Sequence, residues 1–344
     1  MNIIKYDKNI KGGVVVDEFA STIVQKFNFK PKYIYRKKYM YICNTDKGIK
    51  LIKPVNYTTD KILFVHNIKQ HLIEKGFNQL DFYYMSQDNL PYVISEDILY
   101  VMTDYIDLDE CDLSKDTDTK KAIELIANFH KLSQGYKSQN VENIKHDISN
   151  LDIKQVFLKK LENLKKMKRI VSKQKKLMDF ELSFIKEYDY FYKNAVESIE
   201  ILEKCKYDNL NKLANNNLMI CHNRLKEENI LIGQKSYLTQ FESITIGHFI
   251  YDISSFIIRY IKKHPNDYLS LEEILITYSK INYIDGNFLP ILYALIKFPT
   301  RYIETCQSFF DRRRNFTPIS ISSDLKNILE LKDFQENYIS KIKL

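Results

Sequence analysis

The residues best suited to chemistry crowd into one stretch, from Cys221 to Asp252. CHNRLKEENIL supplies His222, Arg224, Glu227, Glu228 and Asn229; YLTQFES adds Gln240 and Glu242, and GHFIYDIS adds Asp252. A carboxylate here could hold a metal or take a proton. Arg224 could do neither, because a guanidinium keeps its proton to above about pH 12, but it offers a two-pronged fork to phosphate or sulfate. Gln240 offers an amide oxygen without charge. His222 reads equally well as a core histidine. The five cysteines (Cys43, Cys111, Cys205, Cys221, Cys306) are scattered with no CxxC pair, which argues against a disulfide framework or a zinc site. No metal centre is expected.

The elements that must position these residues fall into two kinds. KYIYRKKYMYICNT and GIKLIKPV read as β-runs joined at Asp46-Lys47-Gly48, with Gly48 suited to positive φ. A helix follows over about 61–75, stopped by Gly76 as a C′ glycine. Strands are predicted at about 80–86 and 91–95, around the turn Gln87-Asp88-Asn89, and another from Ile98 to Ile106. From about residue 118 the spacing becomes helical, with Ala122, Leu125, Ile126, Phe129 and Leu132 on one face. Helical patterns fill about 150–215, a strand–turn–strand region occupies 216–243, and helices resume at Tyr251.

Composition fits a folded globular chain, with 44% hydrophobic and 28% charged residues. MNIIKYDKNIKGG lacks the basic-then-apolar pattern of an export signal. No uncharged run reaches the roughly 18 residues of a membrane span. The sequence therefore predicts a soluble protein made without export. The net charge is +8, yet Lys154–Lys176 holds ten Lys/Arg against Glu162 alone, so that segment carries +9 and the rest of the chain −1. Val156, Leu158, Leu161, Leu164, Met167 and Ile170 recur among those lysines at helical spacing. A solvated basic face and a docking surface for an acidic partner both fit. Nucleic acid fits poorly, since Phe157 is the lone aromatic there.

CHNRLKEENIL, YLTQF and GHFIYDIS together resemble the core of aminoglycoside-phosphotransferase-like kinases: H-x-D-x-x-x-x-N, a strand ending D-F, then a Y-D pair opening a helix. His222, Asn229, Phe241 and Asp252 fall on matching positions. TDKGIKLIK puts Lys53 at the place of the strand lysine. LYVMTDYI matches the lobe hinge, which makes Met102 and Asp104 candidates to line a nucleotide or anion, beside Lys53, Arg224 and Asn229. ELIANFHKLSQGY and ALIKFPTRYIETCQSFFDRRR resemble blocks of the spore-coat CotS family, within which Arg312-Arg313-Arg314 would belong to a structural helix. The resemblance spans roughly residues 30–340. It implies a two-lobed α+β protein-kinase-like fold. Residues 1–105 would form a small antiparallel-sheet lobe with one helix, and residues 106–344 a helical lobe containing the 216–243 hairpin.

The departures bear on activity. The family's catalytic Asp falls at Arg224 and its metal-binding Asp at Gln240. Losing a general base costs about 10²–10⁴ in rate. A unit charge about 5 Å from a divalent ion, at an effective dielectric of ~20, interacts by roughly 6–7 kcal/mol, and arginine reverses its sign. Glu242 is expected to point away, because neighbours alternate along a strand over 237–241. Glu227 and Glu228 are poor substitutes. Gln70 and His71 occupy the helix register opposite Lys53, and Lys50 reads as a surface lysine. The bend at Arg36-Lys37-Lys38 contains no glycine to cradle phosphates. In the resembled fold His222 orders the loop and Asp252 accepts its backbone N–H groups.

The resemblance thus implies a non-catalytic, pseudokinase-type structural or assembly protein. It would be made in the mother-cell cytoplasm, deposited on the spore coat, and need no cofactor. Its partners would be other coat proteins, acidic ones meeting the Lys154–Lys176 helix. Two alternatives are a phosphotransferase with a rewired site, using ATP and Mg²⁺ on a small hydroxylated substrate, and a metal-independent nucleotide- or anion-binding module. Two states of the cleft stay open. Arg224 and Lys53 face it from opposite lobes and hold an anion, or Arg224 turns to Glu242 or Asp252 and plugs it.

Overall fold

Alternating side chains build the small lobe of the structure, a computed structural model that describes residues 17–137, 152–264, 270–311 and 318–332. Strands β1 (Pro31–Lys37), β2 (Met40–Thr45) and β3 (Gly48–Val55) form an antiparallel meander. Its second turn closes on Gly48 at φ +92°, a conformation costly for residues with a Cβ. Strands β4 (Val93–Ser95) and β5 (Ile98–Asp104) complete a five-stranded sheet of order β1-β2-β3-β5-β4. Ile34, Cys43, Ile52, Tyr100 and Met102 face one side, where they pack with Ala20, Ile23 and Val24 of a helix, α1 (Glu18–Lys26). The sequence predicts one helix in this lobe; α1 is a second, capped by Asp17, whose carboxylate accepts from Ala20 N at 3.0 Å. On the opposite side Val55 and Val101 join the main core with α2 (Thr59–Glu74). Helix α2 ends as predicted, with Gly76 at φ +91° and Phe77 N donating to Leu72 O at 2.8 Å.

The strand predicted over 80–86 does not form. That segment is extended, but its two ends bond in different directions. Leu80 bridges to Leu238, with Leu238 N donating to Gln79 O at 2.9 Å, while Tyr84 N donates to Met102 O at 2.9 Å. One end is thus tied to the large lobe and the other to the small sheet, so no ladder can propagate.

The large lobe is helical. It comprises α3 (Asp116–Leu132), α4 (Ile153–Val171), α5 (Asp179–Lys204), α6 (Tyr207–Asn216), α7 (Ile250–Lys263), α8 (Ser270–Ser279), α9 (Leu289–Lys297), α10 (Thr300–Asp311) and α11 (Pro318–Glu330). Short strands lie between α6 and α7, apart from β6 (Asp109–Glu110), which pairs with β8 (Ile230–Ile232) beside β9 (Tyr237–Leu238). Strand β7 (Ile220–Cys221) pairs with β10 (Thr245–Ile246). Helix α4 packs against α5 and α10 through Phe157, Leu161, Leu164, Met167 and Val171. This stripe differs from the predicted face. Ile170 stays 49% exposed, because the buried line runs through Phe157 and Val171, two turns either side of Leu164. Arg312-Arg313-Arg314 lies outside the described residues.

A lysine buried in the small lobe lies against the large one, 5.1 Å from the centre of the Phe241 ring. The apolar face of α2 runs through Ile62, Val65, Ile68 and Leu72, and Lys69 interrupts it with no exposed surface. Its ammonium bonds to Asp81 Oδ1 at 2.8 Å and Asp81 O at 2.5 Å, and lies 3.6 Å from the centre of the Tyr83 ring. Burial pushes the Lys69 pKa down, against the pull of Asp81 and Glu242. Removing one member of such a pair strands the other charge, at a cost of about 3–5 kcal/mol, whereas an apolar replacement of both is far milder. Lys69→Met should therefore shift the denaturant midpoint sharply downward, and Lys69→Met with Asp81→Leu should recover much of the loss. Equal midpoints for Lys69→Met and the parent would contradict the pairing.

Candidate functional site

The loop after β7 is held from beneath. Asp252, in the first turn of α7, accepts His222 N at 2.6 Å and Asn223 N at 2.8 Å. It also contacts His130 Nε2 of α3 at 3.0 Å. With that Nε2–H given to Asp252, His130 Nδ1 accepts the Tyr278 hydroxyl at 2.8 Å, and Tyr278 in turn accepts Asn282 Nδ2 at 2.8 Å. His222 donates Nε2–H to Thr239 O at 3.0 Å, and burial pushes its pKa down, so the ring is neutral. Asn229 Nδ2 donates to Arg224 O at 2.8 Å and ties the far end of the loop to its start. These residues fix the backbone, and the Asp252 carboxylate is spent on two backbone N–H groups and His130.

Glu242 lies where the sequence did not place it. Strand β9 ends at Leu238, and Gln240 adopts left-handed backbone at φ 61°, ψ 55°, before a 3₁₀ turn over Phe241–Ser243. Alternation along a strand no longer applies beyond that kink. Glu242 is buried and forms an ion pair with Lys53 of β3, with side-chain exposures of 7% and 12%. The Tyr83 hydroxyl stands 3.5 Å from the same carboxylate oxygen. Burial would raise the Glu242 pKa, but Lys53 and Lys69 outweigh it and hold the pKa below the usual value. Burial likewise disfavours the Lys53 cation, yet Glu242 and Asp81 leave its pKa raised. The signs agree. The pair contributes stability from the ordinary glutamate range upward, lost as pH falls through the depressed Glu242 value, and again as pH rises past the raised Lys53 value.

Kinases pair the strand lysine with a glutamate from the small-lobe helix. Here the helix turns Lys69 inward, while Gln70 and His71, the positions predicted to face Lys53, are only half-buried. The acid comes instead from the other lobe. Lys69 was legible in principle, as a lone cation at i, i+3, i+7 spacing within the apolar stripe Ile62–Val65–Lys69–Leu72.

Three other expectations are corrected. Lys50 is no surface lysine: it is buried on the α1 side of the sheet, bonded to Tyr84 OH at 2.8 Å and ion-paired with Asp104. Asp104 and Met102, as alternate residues of β5, face that same side, with Met102 fully buried against α1. Their side chains therefore point away from Lys53, whose strand neighbour is Val101. Arg224 reaches neither Glu242 nor Asp252; it lies 3.8 Å from Glu228 and is 40% exposed. Its charge and those of Lys53 and Glu242 act on Tyr57, which follows β3, as does the nearby Tyr39 of the β1–β2 bend.

The fold family's ATP and Mg²⁺ can be tested against these donors. Asn229 Oδ1 is buried and has no hydrogen-bond partner, so one neutral oxygen is available. Gln240 brings no charge, and its backbone N–H is bonded to Asp81 Oδ2 at 3.1 Å. Glu242 is committed to Lys53, and Glu228 lies between Arg224 at 3.8 Å and Lys226 at 3.7 Å. Among the described residues no group of three His, Cys, Asp or Glu could hold a metal. The β1–β2 bend uses Lys38 at φ 58°, and Lys38 O accepts Arg36 Nε at 3.1 Å. These residues do not fit a carboxylate-held magnesium ion.

Solved structures share the fold. An aminoglycoside phosphotransferase from Alicyclobacillus acidocaldarius superposes with a TM-score of 0.83 at 14% identity, over 97% of each chain. The spectinomycin phosphotransferase APH(9)-Ia, in its AMP-bound complex, gives 0.67 at 12% identity, over 96% of this chain and all of that one. Amicoumacin kinase hAmiN gives 0.52 at 13%, over 90% of each. No curated protein matches the chain in sequence. The family model described as "Spore coat putative kinase YutH" matches residues 20–342. With the two-lobed fold and the retained loop framework, that match over nearly the whole chain shows that the protein belongs to this spore-coat kinase-like family.

Proposed function

We propose that this chain works as a non-catalytic scaffold of the spore coat, with the cleft between its lobes closed by its own charges. The observation that carries the reading is the Lys53–Glu242 ion pair. It commits the carboxylate nearest to replacing a lost metal ligand to the strand lysine, which leaves no group of three acids or histidines among the described residues to hold magnesium. The cleft is closed by this pair rather than by Arg224. In this reading the protein needs no ATP and no Mg²⁺, is made in the mother-cell cytoplasm and is then incorporated into the coat.

The surface for assembly is the outer face of α4 and the turn after it. Four of its cations are already paired: Lys154 with Asp208 at 3.0 Å, Lys160 with Glu304 at 2.6 Å, Lys165 with Glu162 at 2.7 Å and Lys168 with Asp189 at 3.3 Å. Lys159, Lys166, Arg169, Lys173, Lys175 and Lys176 are exposed and make no ion pair among the described residues. Lys159, Lys166 and Lys173, seven residues apart, line one side of the helix and its end. An acidic coat protein is the partner this stripe suits.

Two outcomes test the proposal. Incubation with ATP and Mg²⁺ should give no phosphotransfer or hydrolysis, and ATP should leave the melting temperature unchanged in EDTA and in Mg²⁺ alike. Mg²⁺-dependent turnover that disappears in Asn229→Ala would show instead a rewired phosphotransferase, with Asn229 Oδ1 and a carboxylate holding the metal. Separately, replacing Lys159, Lys166, Arg169 and Lys173 with Gln should hardly alter the unfolding midpoint, since exposed charges contribute about 0–1 kcal/mol. It should weaken binding to coat extracts, as should added salt, because such contacts are screened within about 8–10 Å. Binding indifferent to salt and to the four substitutions would exclude this face.

A further inference from the structure

A second feature lies in the helical lobe, apart from the cleft. A cavity of about 80 Å³ opens between α5, α7, α10 and α11. Ile258 and Ile261 of α7, Phe298 before α10 and Ile328 of α11 form its apolar walls. Tyr302 is fixed there, its ring stacked on Phe191 at 3.8 Å and its hydroxyl donating to Phe184 O at 3.0 Å.

Its charged lining is cationic. Lys262 is half-buried and Arg301 exposed, and neither makes an ion pair among the described residues. Arg259, one turn before Lys262, reaches Glu227 only at 3.5 Å, and its buried Nε has no acceptor. Among the described residues, two arginines and one carboxylate, Glu227, act on Lys262. Burial, then Arg301 and Arg259, push the Lys262 pKa down to about 8, with Glu227 opposing. Half-buried Lys262 loses hydration beside the apolar cavity without recovering it from an ion partner, and an apolar pocket with a few convergent polar groups is the form small-ligand sites take.

We propose that this cavity binds a small apolar-tailed carboxylate, a short-chain acyl anion. Its tail lies among Ile258, Ile261 and Phe298, and its head lies on Lys262 and Arg301. The apolar walls exclude a purely ionic ligand, the cations select against a neutral one, and the volume limits the chain to a few carbons. The site is independent of whether the cleft is catalytic.

The test uses the full chain with ¹³C-labelled isoleucine methyls, titrated with sodium hexanoate and followed by NMR. The methyls of Ile258, Ile261 and Ile328 should shift saturably, and 1-hexanol at equal concentration should shift them far less. Lys262→Met should raise the apparent Kd about tenfold or more, as expected when a charge-assisted hydrogen bond of about 1.5–3 kcal/mol is lost. Arg301→Gln, a substitution at an exposed position, should also weaken binding without threatening the fold. Equal responses to hexanol and hexanoate would overturn the proposal, as would saturation by sodium acetate alone. So would the absence of saturable shifts, or hexanoate binding unchanged in both variants.

Discussion

The ion pair between Lys53 and Glu242 crosses from the small sheet to the loop of the large lobe, and the arrangement of the cleft depends on it. Neither charge could stay buried alone. Each lies near a member of a second pair, since Lys69 helps hold Glu242 ionised and Asp81 helps hold Lys53. The four charges come from β3, α2, the segment after α2 and the turn after β9, and they sum to zero. Asp81 adds a bond to Gln240 N, so the left-handed residue that aims Glu242 is itself held by the quartet. The backbone kink and the charges support each other.

Much of the fold was legible because local signals agreed with the global one. Gly48 and Gly76 end elements where positive φ is needed, and α3 buries the face its spacing predicted. The loop positions His222, Asn229 and Asp252 could be placed because they sit at fixed separations within short segments. What failed was long-range. Residues 80–86 have strand composition, but their backbone partners lie in two different lobes, which periodicity cannot reveal. Helix α1 is only nine residues long, and most of its stability comes from the sheet it covers. The Lys50 and Asp104 pair depends on β3–β5 register, which joins residues 54 apart in sequence.

The site was half legible for the same reason. The resemblance puts Arg224 and Gln240 where the family's two carboxylates would fall, so the difference in charge could be counted from the sequence. Its compensation could not, because it turns on one dihedral. With Gln240 in an extended conformation, Glu242 would lie on the other face and Lys53 would lack a partner. The departure from alternation was hidden because a left-handed glutamine has no sequence signature of its own; Asn, Asp and Gly are the usual residues there.

A site that binds or turns over a ligand keeps charge in reserve, since a donor already satisfied by the protein gains little from a ligand. By that criterion the cleft and the rest of this molecule differ. In the cleft, Lys53, Lys69, Asp81, Glu242 and Asp252 all have partners, and the oxygen left over, Asn229 Oδ1, is neutral. Unspent charge lies elsewhere, along the outer face of α4 and at the rim of the cavity beside α7. The first is exposed, broad and singly signed, which suits a macromolecular surface that forms through many weak contacts. The second is narrow and backed by an apolar cavity, which suits a small ligand. The charge this molecule leaves unspent thus lies on the helical lobe, outside the cleft.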